Sequence, residues 1–171
     1  IGKKAPVFVG KKLESLPREG RLKQAAALAP VLRGLCSRGG SNFPLGVGGM
    51  IGHFTDDDRV LEYINSNDLD RLAPLGTSCP DHFLRTKISP LVLDIQAADD
   101  LSDVAAIKQK LAPQFEAYRK MYADYYNTCK HSNSPAIRDA NPVVILFRGV
   151  GMFTFAKDKQ TARVAAEFYI N

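Results

Sequence analysis

The run Pro142-Val143-Val144-Ile145-Leu146-Phe147 constrains this chain more than any other feature. A strand with one wet face alternates apolar and polar residues. An unbroken apolar run of strand length must be covered on both faces, as in the interior of an α/β sheet. Arg148-Gly149-Val150-Gly151 then turns the chain, and Met152-Phe153-Thr154-Phe155 reads as a second short strand. Asp158 is placed to cap a following helix that carries Ala162, Ala165, Ala166 and Tyr169.

Helices supply the cover. Val104, Ile107, Leu111, Phe115, Tyr118, Tyr122 and Tyr125 step by three and four, so residues 99–129 read as one long helix with a core-facing stripe. Asp100 or Ser102 is expected to cap it, and Pro113 to kink or divide it. From Pro17 a second helical pattern runs through Leu22, Ala25, Ala29, Leu32 and Cys36, with Pro30 expected to kink it or to start a new helix. Shorter helices are expected after Asp56-Asp57-Asp58, over Val60, Leu61 and Ile64, and from Asp68 to Leu72. The triple aspartate reads as an acidic first turn on the positive end of a helix dipole rather than a metal cluster, because its spacing does not fit a calcium loop. Pro90 to Asp94 reads as a strand, and Pro6-Val7-Phe8-Val9 as an edge strand or extended lead-in. Residues 38–42 and 131–141 read as loops. The fold class is α/β: one domain over 1–171, a mixed sheet with flanking helices.

The glycines of Phe43 to Phe54 invite a phosphate-loop reading. GxGxxG fails, because Ile51 stands where the third glycine is needed after Gly46 and Gly48, and Pro44 argues against a preceding strand. This segment is read as a turning connection.

The segment Thr77-Ser78-Cys79-Pro80-Asp81-His82, followed by Arg85 and Lys87, concentrates hydroxyls, a carboxylate, an imidazole and two cations. Ser78 is expected to cap a helix, with Asp81 three residues on and Pro80 in the first turn. Free N–H groups at such an end attract anions, and an arginine adds a fork. Thr77, Ser78, Asp81, His82, Arg85 and Lys87 are therefore candidate sugar-phosphate or anion contacts. The plainer alternative is a capped helix with an Asp81–Arg85 pair. Cys79 and His82 share a face, but two ligands do not make a zinc site.

Composition excludes other classes. The net charge of +5 is interspersed and Trp is absent, so a nucleic-acid surface is not expected. No apolar run reaches the ~18 residues of a membrane span. Cys36, Cys79 and Cys129 are widely spaced and odd in number, which disfavours a disulfide framework or a structural zinc site and points to a cytoplasmic setting. The chain opens on Ile1 and closes inside the apolar pattern Phe168-Tyr169-Ile170-Asn171, so both ends read as cut from a longer polypeptide.

Residues 60–93, above all Cys79 to Lys87, and residues 141–171 resemble the bifunctional fusion of a class II aldolase with a short-chain dehydrogenase that acts on rhamnulose-1-phosphate. The resemblance implies a large parent with a zinc-binding aldolase region and an NAD(P)-binding dehydrogenase region. This segment carries neither signature. No His-x-His pair exists, Val150 stands where the turn of the resemblance would place a histidine, and Tyr118 is followed four residues on by Tyr122 rather than Lys. The resemblance thus implies a degenerate aldolase-like lobe between the two regions, with flanking domains of the parent as its partners and no catalytic residue, metal or cofactor of its own. A non-catalytic interaction or homo-oligomerisation domain is the alternative. A self-sufficient enzyme built on Cys79, Asp81 and His82 lacks a second acid–base group.

Overall fold

The computed structural model describes residues 13–37 and 49–171. The expected strand at 6–9 and loop at 38–42 lie outside the described residues.

In chain order the elements are α1 (Arg18–Cys36), β1 (Ile51–Thr55), α2 (Asp58–Ile64), α3 (Leu69–Leu72) with a 3-10 turn Ala73–Leu75, α4 (Pro80–Thr86), β2 (Leu91–Val92), α5 (Val104–Cys129), β3 (Val144–Phe147), β4 (Gly151–Ala156) and α6 (Lys159–Ile170). The strands form one mixed sheet in the order β1-β4-β3-β2. β4 runs antiparallel to both neighbours, and β2 runs parallel to β3.

The apolar run behaves as its composition demands. Every residue of β3 and β4 is buried. One face of the sheet, with Ile145, Phe147, Phe153 and Phe155, packs against α1 and α5. The opposite face, with Val144, Leu146 and Met152, packs against α2, α3 and α6. The result is a three-layer α/β arrangement, as expected from two-sided burial.

Both prolines expected to interrupt helices leave them continuous. Pro30 lies inside α1 and Pro113 inside α5. Each is exposed, as are Ala26 and Gln109 four residues earlier, so the carbonyls that lose a partner face water. The start of α5 is later than expected. Asp103, rather than Asp100 or Ser102, caps it by accepting from the Ala105 and Ala106 N–H groups at 3.0 Å. Asp100 instead accepts from the Ser102 N–H. Ile107, Leu111, Phe115 and Tyr118 are buried along the helix, whereas Val104 and Tyr125 at the ends of the stripe are exposed. Of the strand expected at 90–94, only Leu91–Val92 is paired in full register, and the Leu93 N–H adds one bond to the Leu146 carbonyl at 2.9 Å.

The reading of 43–54 as a connection is corrected for its last residues, which form β1. Glycine serves close packing there, not a turn. A Cβ on Gly52 would lie 2.9 Å from the Phe155 ring. Phe54 packs on Phe153 with centroids 5.0 Å apart. β1 is an edge strand, and two of its neighbouring carbonyls are occupied by cations: Arg33 donates to Met50 O at 2.9 Å and Lys159 to Gly52 O at 3.0 Å.

The aspartates at 56–58 have structural work. Asp57 caps α2 by accepting from the Arg59 N–H at 2.9 Å, and Asp56 pairs with Arg21 at 2.8 Å. Arg119 ties three segments together, donating to Asn141 Oδ1 at 2.6 Å and to the Leu35 carbonyl at 2.7 Å in the last turn of α1. Among the described residues no helix is long and apolar enough to cross a membrane.

Candidate functional site

On the α2/α6 side of the sheet a cleft of about 670 Å³ opens between α2, the segment 72–78 and α6. Its floor is Leu146 of β3 and Met152 of β4, both fully buried. Tyr63 of α2 and Phe168 and Tyr169 of α6 form its walls. They face the cleft because α2 and α6 each set an apolar stripe on the sheet, which leaves the aromatic at the stripe's edge half in and half out. The Tyr63 and Tyr169 rings meet edge to face at 6.2 Å, and the Tyr169 hydroxyl approaches that of Tyr63 at 3.5 Å. Burial raises the pKa of Tyr63, and it raises that of Tyr169 far more, so both are neutral phenols at physiological pH.

Thr77, Ser78 and His82 line the rim. Gly76 sets them there. It sits at φ +76, and a Cβ on it would lie 2.0 Å from the Ile88 carbonyl oxygen, so only glycine permits this turn. Thr77 Oγ1 donates to the Cys79 carbonyl at 3.2 Å, and the His82 ring stands edge-on to Phe168 at 4.9 Å and 82°.

The structure thus brings three of the six candidate residues together and separates the other three. Asp81 and Arg85 are exposed on α4, outside the cleft lining, and are not paired with each other. Lys87 points elsewhere altogether. Its Nζ donates to the carbonyls of Asp139 and Asn141 and lies 4.3 Å from the Tyr122 ring centroid. Burial lowers its pKa to about 8, against the opposing pull of Asp139. The helix start is also corrected. α4 begins at Pro80 after Cys79, and Cys79 makes no side-chain cap bond, so Ser78 is not the cap. A seven-residue helix adds little dipole of its own.

The cleft also holds groups that the pattern of candidate residues missed: Tyr63, Phe168, Tyr169, Arg59 and Glu62. In sequence, Tyr169 shares one helical spacing with Ala162, Ala165 and Ala166. The usable signal was that an amphipathic ring flanks the apolar stripe of each helix. Arg59 leans back on Asp57, with Nε 3.0 Å from Oδ1.

Neither zinc nor a dinucleotide fits these residues. Among the described residues no three of His, Cys, Asp and Glu gather as a ligand set. In sequence, Gly46 and Gly48 lack the third glycine of a dinucleotide-binding turn, since Ile51 stands in its place. Val150, in the position where the resemblance looks for a histidine, is fully buried in the core. Burial also raises the pKa of Cys36 far above the usual thiol range, which makes it an unreactive thiol.

The chain belongs to a class II aldolase family. The family model described as "Aldolase class II, second domain" matches residues 23–171, and the mixed sheet with flanking helices is consistent with such a domain. It is also 31% identical over 163 residues to a Bacillus subtilis (strain 168) protein named uncharacterized oxidoreductase YuxG. That match covers 95% of this chain and only 22% of the relative, so the chain spans about a fifth of that protein's length. No solved structure matches.

Proposed function

We propose that this domain is a substrate-positioning lobe of a larger, cytoplasmic polypeptide that joins class II aldolase and short-chain dehydrogenase activities on a sugar phosphate such as rhamnulose-1-phosphate. In this reading the aldol chemistry, with its zinc, and the hydride transfer, with NAD(P), belong to other parts of the polypeptide. The family match and the much longer oxidoreductase relative support the reading. The observation that carries it is the cleft in which Thr77, Ser78 and His82 converge over an apolar floor. It offers contacts for a ligand, with no metal ligand set among the described residues.

The test uses the natural polypeptide that carries this domain. Ser78→Ala and His82→Ala are expected to raise KM for aldol cleavage by roughly fivefold or more while kcat and zinc content stay constant, the mark of lost ground-state binding. Unchanged KM in both variants would refute the proposal.

A second reading, an interaction or oligomerisation domain, is favoured by one observation. Leu75 and Leu84 are 71% and 70% exposed on the segment that bears α4, with Phe83 beside them. Leu84→Glu is then expected to lower the mass of the natural polypeptide in light scattering. An unchanged mass would count against this reading.

A further inference from the structure

We infer that the cleft binds the uncharged, hydroxyl-bearing carbon skeleton of its ligand and leaves any anionic group outside. The inference rests on the reading of the cleft as a substrate-positioning site and narrows it.

The argument begins with what surrounds the space. The apolar side chains of Leu146 and Met152 close the floor, and three aromatic rings form the walls. Such surfaces favour the C–H face of a ring or short chain, because each contact removes apolar area from water. The polar groups at the rim are the Thr77 and Ser78 hydroxyls, the His82 imidazole and the paired tyrosine hydroxyls. These are hydrogen-bond donors and acceptors suited to hydroxyls on one edge of a ligand.

The cations decide the matter. A phosphate drawn into an apolar cleft loses hydration worth several kcal/mol and needs charge-assisted bonds to offset it. Arg59 is the lining cation, and its guanidinium is held by both carboxylate oxygens of Asp57. Lys87 is turned to the carbonyls of Asp139 and Asn141, and Arg85 stands outside the lining. Glu62 adds a carboxylate to the lining. The space, about 670 Å³, suits a small organic molecule better than a bare oxyanion.

The test again uses the natural polypeptide. The probes are trans-1,2-cyclohexanediol, with an apolar face and two adjacent hydroxyls, and inorganic phosphate. Saturation-transfer NMR reads binding of the diol. Ser78→Trp is the blocking variant, since Ser78 is exposed at the rim and a larger side chain there plugs the mouth without entering the core. Saturable diol binding, weakened about tenfold or more by Ser78→Trp and unaffected by a large excess of phosphate, is expected. Displacement of the diol by phosphate, or equal diol binding in wild type and Ser78→Trp, overturns the inference. The KM test separates the two claims. A raised KM in Ser78→Ala and His82→Ala without diol binding rejects the uncharged ligand but keeps the positioning lobe. An unchanged KM rejects the lobe itself.

Discussion

Lys87 offers a sharp test of the physical account. The residue caps α4 in a conformation, φ 63 and ψ −179, that is almost confined to glycine and costs about 1–3 kcal/mol elsewhere. Its ammonium bridges two carbonyls over a tyrosine ring, yet its pKa falls from 10.5 to about 8, because desolvation outweighs the attraction of Asp139. The sign follows directly. A lysine whose folded pKa is lowered binds its proton less tightly when folded than when unfolded. Stability is therefore reduced below pH 8, rises as pH climbs through about 8, and levels off near the unfolded value. From pH 7 to 9.5 a shift of this size is worth up to about 2 kcal/mol, and residual solvent contact brings the expected rise to about 1–2 kcal/mol. The perturbation is Lys87→Met, which keeps the length of the side chain and removes the titration. Urea unfolding of both proteins at pH 7, 8, 9 and 9.5 gives the difference between them, which cancels the other titrating groups. Wild type is expected to gain on the variant across this range. A flat difference, or one that falls with pH, would refute the claim that burial dominates at this site.

Gly76→Ala is expected to destabilise the chain by at least about 2 kcal/mol in urea unfolding, from left-handed backbone strain plus contact with the Ile88 carbonyl. A loss below 0.5 kcal/mol, taken as roughly the size of an ordinary surface substitution, would show that the turn relaxes freely. Phe115→Ala, which empties a fully buried position between α1, α5 and the sheet, is expected to cost about 3–5 kcal/mol by the same assay. His53 has its pKa lowered first by burial and then by Lys159, whose Nζ sits 3.3 Å from Nδ1. Lys159→Met is expected to move the imidazole titration seen by NMR upward, and an unmoved or lower value would remove Lys159 from the account.

How far the sequence could be read depended on the range of the interaction concerned. β3, β4 and α6 were legible because an unbroken apolar run and a regular alanine spacing each admit one burial pattern. The body of α5 was legible from Ile107, Leu111, Phe115 and Tyr118. β1 was not, since Gly52 suits a turn until it is known that the Phe155 ring, distant in sequence, needs the space of its missing side chain. Pro30 and Pro113 did not divide their helices, because the cost of an interior proline depends on whether the carbonyl four residues earlier faces water. At the site, Thr77, Ser78 and His82 were named from local composition and do meet at one cleft. Lys87 shares that composition, but its amine serves carbonyls more than fifty positions away. Nothing within the Cys79 to Lys87 stretch signals that destination. Tyr63 and Tyr169 escaped notice for a similar reason: a tyrosine on an apolar stripe reads as core, and only the packing of α2 beside α6 leaves its hydroxyl at an opening.

The sheet order has a consequence for synthesis. β1 finds its hydrogen-bonding partner in β4, with Ile51 opposite Ala156, so β1 waits for about a hundred further residues. At about 5–20 residues per second that interval is on the order of 5–20 s on the ribosome. Through it Leu28, Leu32 and Leu35 of α1 have been made while Phe153 and Phe155, which share their core cluster, have not. The nascent domain therefore carries an incompletely covered apolar helix until β4 is made, which makes it a substrate for holding chaperones.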